Sequence, residues 1–80
     1  MYFVYLLECK DGTIYTGITN DLARRLRMHK GGTASRYTRA RGVKSMIYTE
    51  KRRTRGSALK REAEIKKWSR AEKLTLARSR

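Results

Sequence analysis

The chain has 80 residues and a formal net charge of +14, from 21 Lys+Arg against 7 Asp+Glu. Its one cysteine, Cys9, excludes an internal disulfide, and with His29 as the only histidine it also excludes a cysteine-based zinc site. No apolar run approaches the ~20 residues that span a bilayer, and Phe3 to Leu7 is too short for a secretory signal core, so a single cytoplasmic domain over residues 1–80, with no membrane partner, is the expectation.

In chain order, residues 2–8 are aromatic, β-branched and aliphatic, which predicts a strand. Asp11-Gly12 marks a turn, and residues 13–18 read as the returning strand of a hairpin. Thr19-Asn20-Asp21 supplies helix-capping chemistry for a helix carrying Leu22, Ala23 and Leu26, which ends before Gly31-Gly32. Residues 33–42 read as a basic loop, Val43 to Glu50 as a third strand, and Lys51 to Arg55 as a second basic loop. A helix is expected from about Ser57 to Trp68. Ser69-Arg70-Ala71-Glu72 then fits a capping box that starts another, with residues 78–80 fraying. The order β-β-α-β-α-α, opening on a hairpin, predicts an α+β domain with a small three-stranded antiparallel sheet and flanking helices.

Charge is placed unevenly. Residues 1–23 carry one cation, Lys10, against Glu8, Asp11 and Asp21, whereas residues 24–80 hold all the other cations and only four acids. That pattern points to a polyanion, and nucleic acid is the leading partner because closely spaced phosphates reward many separate cations. Arg24, Arg27 and Lys30 on the first helix, Arg36, Arg39 and Arg41 in the first basic loop, and Arg52, Arg53 and Arg55 in the second are the expected phosphate contacts. Tyr37, among the loop cations, would either stack on an unpaired base or fold the loop back on the domain.

Two groups look misplaced in a marginal core. Glu62 falls between Ala58, Leu59 and Ile65 on the apolar face of its helix, while Glu64 sits with Lys60 and Lys67 as a surface acid should. A carboxylate there needs either a buried arginine partner or a divalent metal. Arg25 and His29, four residues apart, share one flank of the first helix, where a lone histidine is more often packed than reactive. The strand tyrosines supply a test of register. With a two-residue loop at Asp11-Gly12, Tyr5 and Tyr15 face opposite sides of the sheet. With a three-residue loop and Gly12 left-handed, Tyr5 lies opposite Gly17 and Tyr15 sits diagonally beside it on the same face, Gly17 leaving room for a phosphate or water.

Phe3-Val4-Tyr5, then Tyr15-Thr16-Gly17, then Leu22-x-x-Arg25-Leu26-x-x-His29, then Ala58-Leu59-x-x-Glu62 together resemble the GIY-YIG nuclease superfamily, over nearly the whole chain and most closely its small stand-alone bacterial members. The tyrosines are ten residues apart and Arg25 follows ten further on, as in the family pattern. The first tripeptide lacks the family glycine, Thr16 replaces an aliphatic residue, Ile18 stands where some members carry lysine, and no asparagine follows Asn20. The resemblance implies a GIY-YIG-like fold and a metal-dependent endonuclease that hydrolyses phosphodiester bonds, of DNA ahead of RNA. It implies Mg²⁺ or Mn²⁺ on Glu62, Arg25 on a non-bridging phosphate oxygen, and proton handling by Tyr5, Tyr15 or His29, with the choice among the three open. Weak sequence preference, for branched, flapped or single-stranded structures, is expected because no recognition helix stands out. The alternatives are a non-catalytic basic nucleic-acid-binding domain that keeps the fold, and a basic ribosome- or RNA-associated protein.

Overall fold

Alternation along Tyr2–Cys9 (β1) sends Val4 and Leu6 to one side and Tyr5 and Leu7 to the other, and all four are buried. A strand covered on both faces reads as a continuous apolar run, and it belongs in the middle of a sheet. The computed structural model, which describes residues 1–79, places it there: the antiparallel order is β2-β1-β3, with β2 spanning Ile14–Thr19 and β3 spanning Val43–Arg52. Helix α1 (Leu22–Lys30) and helix α2 (Arg36–Arg41) lie between β2 and β3, and α3 (Arg55–Lys66) and α4 (Arg70–Arg78) follow.

The hairpin takes the three-residue loop. Cys9 N–H donates to Thr13 O at 2.8 Å, Gly12 N–H donates to Cys9 O at 3.0 Å, and Gly12 has φ 86°. Only glycine takes that conformation without strain. Asp11 Oδ1 accepts from the backbone N–H of Thr13 at 3.1 Å and from its hydroxyl at 2.6 Å, which holds the loop closed. Tyr5 therefore pairs with Gly17 and Leu7 with Tyr15.

The α+β class and the three-stranded antiparallel sheet are as expected, but the order is β-β-α-α-β-α-α. The stretch expected as a basic loop over residues 33–42 contains α2, capped at Ser35, whose Oγ accepts from Thr38 N–H at 3.1 Å. A helix of six residues is too short to show periodicity. β1 extends to Cys9, and β2 is displaced one residue from the expected span. β3 runs two residues beyond Glu50, because Lys51 and Arg52 pair with Phe3 and Tyr2. Helix α3 starts at Arg55 on a Thr54 cap and stops at Lys66, two residues before Trp68. The capping box at Ser69 and Glu72 forms as expected. Arg78 ends α4 and Ser79 caps it, while Arg80 lies outside the described residues.

Two apolar layers result. Val4, Leu6, Ile14, Tyr48, Ala58 and Ile65 form one, closed by Trp68, Leu74 and Leu76. Tyr5, Leu7 and Val43 form the other, against Leu22 and Leu26 of α1. The arginine–carboxylate arrangement that sequence reasoning offered for Glu62 occurs, half-buried, at Glu50 instead. Glu50 accepts from Tyr48 Oη at 2.7 Å and from Arg61 Nε at 3.0 Å, and it pairs with Arg52 at 2.8 Å. Burial alone would raise the Glu50 pKa, but these donors outweigh it and hold it below its usual value. Among the described residues, no helix is long and apolar enough to cross a membrane.

Candidate active site

The register brings Tyr5 and Tyr15 to one face with ring centroids 6.4 Å apart. Gly17, expected to leave a space, does the opposite. The Tyr5 phenol lies across it: a Cβ built on Gly17 would meet Tyr5 Cζ and the hydroxyl oxygen at 2.5 Å. The space is already filled by the tyrosine. Gly17→Ala is therefore expected to destabilise the domain by about 1–3 kcal/mol through overpacking, read as a lower urea midpoint. An unchanged midpoint would mean that the phenol does not lie over this strand.

Asp21 caps α1, its Oδ1 accepting from Arg24 N–H at 3.0 Å, and sets the direction in which the helix delivers His29. His29 is only 2% exposed, and its Nε2 lies 2.7 Å from the Tyr5 hydroxyl. On its other side Nδ1 lies 2.8 Å from Thr38 Oγ1 of α2. Thr38 Oγ1 lies in turn 3.0 Å from Ser35 Oγ and 3.4 Å from Ser35 O, so the imidazole bridges two hydroxyls, donating to one and accepting from the other. Burial first, and the Arg25 guanidinium second, depress the His29 pKa to about 4, so the ring is neutral at physiological pH. Burial, and then the neighbouring Tyr15, push the Tyr5 phenol well above its ordinary value. Arg25 opposes that rise and Glu62 adds to it.

Of the five candidate residues, three pack directly together. Tyr5, Tyr15 and His29 pack edge to face, with the Tyr15 and His29 centroids 5.1 Å apart. Half-buried Arg25 and Glu62 reach them through charge. Glu62 is not in an arginine pair. Its side chain is 15% exposed, and its partner is the Lys66 ammonium at 3.3 Å, one helical turn on and itself 53% exposed. The described residues hold no group of three or more His, Cys, Asp or Glu that could cage a metal ion.

The cations divide into two sets. Arg24, Arg27, Lys30, Arg36, Arg39, Arg53 and Arg55 are exposed. Arg41 instead pairs with Asp11 at 2.6 Å and lies over the Tyr37 ring at 4.3 Å, and Arg52 is held by Glu50. Tyr37 folds back on the domain, its centroid 5.6 Å from that of Tyr15, while keeping 37% of its surface exposed. Sequence reasoning missed Thr38, which fixes the histidine. The signal was Ser35 three residues earlier, a cap that only makes sense before a helix.

A small α+β domain with a phenol–imidazole cluster on one face of its sheet is what this structure defines. Residues 1–75 match the family model described as the GIY-YIG catalytic domain, and the chain belongs to that nuclease family. A UPF0213 protein of Staphylococcus saprophyticus is 41% identical over 75 residues, covering 94% of this chain and 92% of the relative. A UPF0213 protein of Staphylococcus aureus is 40% identical over 79 residues, covering 99% and 96%. The solution NMR structure of a UPF0213 protein from Bacillus halodurans superposes with a TM-score of 0.62 at 40% identity, covering 100% of this chain and 86% of that one. A solution NMR structure from E. faecalis gives a TM-score of 0.65 at 42% identity, covering 98% and 83%.

Proposed function

We propose that this protein is a metal-dependent endonuclease that hydrolyses phosphodiester bonds in nucleic acid, DNA ahead of RNA, with weak sequence preference and a preference for branched, flapped or single-stranded structures. The observation that supports this reading is the packed cluster of Tyr5, Tyr15 and His29 in a chain whose residues 1–75 match the GIY-YIG catalytic domain. Arg25 offers the planar fork that suits two oxygens of one phosphate. Glu62 is the residue to hold one Mg²⁺ or Mn²⁺: it is a half-buried carboxylate whose ion-pair partner among the described residues is an exposed, displaceable ammonium. The ion, when bound, supplies stabilisation of charge on the leaving 3′ oxygen.

Tyr5 is a poor phenolate base, because burial raises its pKa and its hydroxyl is engaged with His29. Its role is to hold the imidazole, and with it the packing of the Tyr15 ring. Tyr15, half-buried and lining an open cleft, is the phenol assigned to orient that water. Phosphate contacts by the exposed arginines position the strand without reading its bases.

Nicking of supercoiled plasmid tests the reading. Open circles are expected with Mg²⁺ or Mn²⁺ and none with EDTA. Absence of cleavage on plasmid, flapped, branched and single-stranded substrates with both metals would leave a binding domain that only keeps the fold.

A further inference from the structure

Strand β2 is an edge. The alternation that gives Thr13 O to Cys9 turns the backbone groups of Ile14 and Thr16 away from β1. Along that edge runs a cleft of about 260 Å³ lined by Ile14, Tyr15, Thr16, Tyr37, Lys66 and Lys73. It shares Tyr15 with the phenol cluster and Lys66 with Glu62. Neither lysine belongs to the cation set that the sequence suggested.

Lys73 is the anomaly. It is only 9% exposed, yet among the described residues no carboxylate lies within ion-pair distance of it. Its ammonium has three donors, and one of them makes a long bond of 3.3 Å to Ile14 O. Burial, and then the nearby Lys66 charge, depress its pKa, so the site is short of negative charge. Thr16 also lines the cleft, and its buried hydroxyl has no hydrogen-bond partner. Lysines do guard sheet edges, but a guard keeps its ammonium in water, and this one does not. Two cations, an unpartnered hydroxyl and an outward-facing strand edge suit a tetrahedral monoanion.

We propose that this cleft is a phosphate subsite, in which Lys73, assisted by Lys66, holds a backbone phosphate of the nucleic-acid strand beside the phosphate to be cut. The proposal rests on the nuclease reading for its substrate. Its chemistry requires only a phosphodiester.

Binding measured in EDTA keeps the two readings apart, since no cleavage is involved. Fluorescence anisotropy of a labelled DNA oligonucleotide is followed as salt is raised. For Lys73→Met, loss of one phosphate contact is expected to flatten the log–log salt slope by roughly 0.7–0.9 and to weaken binding roughly 5–10-fold near ~0.1 M salt. Lys73→Arg is expected to restore most of both. An unchanged slope in a folded Lys73→Met protein would reduce the lysine to an edge guard and overturn the subsite, whatever the nicking assay shows. Wild-type protein gives a second readout that does not depend on a variant folding. Amide NMR signals of Thr16 and Lys73 are expected to shift with oligonucleotide at concentrations where inorganic phosphate leaves them in place. Equal shifts with phosphate alone would assign the cleft to a free anion and overturn the strand contact.

Discussion

Glu62→Gln is expected to abolish metal-dependent nicking, with a rate loss of roughly 100-fold or more, about 3 kcal/mol of transition-state stabilisation. The amide keeps the shape and the surroundings of the carboxylate but cannot hold a divalent cation as an anion does. Its existing partner, Lys66, is exposed and needs no replacement, so folding is expected to survive. Affinity for nucleic acid in EDTA is expected to stay level or to tighten slightly, because one negative charge leaves the neighbourhood of Tyr5 and Arg25. Loss of cleavage with binding retained separates a metal-holding role from a structural one. Wild-type nicking by Glu62→Gln would place the activity at another site or in a contaminant. A rate recovered by raising Mn²⁺ would mean that the carboxylate strengthens ion binding without being its sole anchor.

Local chemistry made the hairpin register legible. Gly12 is the one residue of its loop suited to a positive φ, and Asp11 can accept both donors of Thr13. Those two facts select the loop that brings Tyr5 and Tyr15 to one face. Glu62 was legible too, as a charge on an apolar helical face. Its partner was not singled out, although Lys66 stands one turn away, because 21 cations make any single lysine uninformative. What could not be read were the partners set by tertiary approach. Glu50 looks like an ordinary acid near the end of a strand, and only the packing of α3 on β3 brings Arg61 onto it. Thr38 looks like a polar residue in a basic loop until α2 turns it under His29. Lys73 reads as solvent-facing, because nothing local says that its helix will lay it along the edge of β2. The Gly17 reading failed for a related reason. Sequence supplies the absence of a side chain, but not which neighbour will occupy the room.

Lowering the pH from 7 to about 4 is expected to remove about 3 kcal/mol of folding stability through His29 alone. The ring is 2% exposed, and its pKa in the folded protein is about 4, against 6.5 for a free imidazole, chiefly from burial and then from Arg25. Between those values the unfolded chain binds a proton that the folded chain refuses. Unfolding there takes up one proton, so stability rises with pH at up to ~1.4 kcal/mol per unit. The contribution is complete above about pH 6.5, declines below it, and is gone below about 4. Glu50 also loses stabilisation in acid, because its donors hold its pKa down. That loss begins only as pH falls towards the ordinary carboxylate value, so the interval from ~6.5 to ~5 reports His29. As the chain has one histidine, a single imidazole NMR resonance gives its pKa directly, and urea unfolding at several pH values gives the stability slope. A resonance titrating near 4, with midpoints falling below pH 6.5, is the expected pair of results. Titration near 6.5 with flat midpoints would place the imidazole in contact with water. It would also break the buried contact that holds the Tyr5 phenol across Gly17, and with it the reason for the glycine.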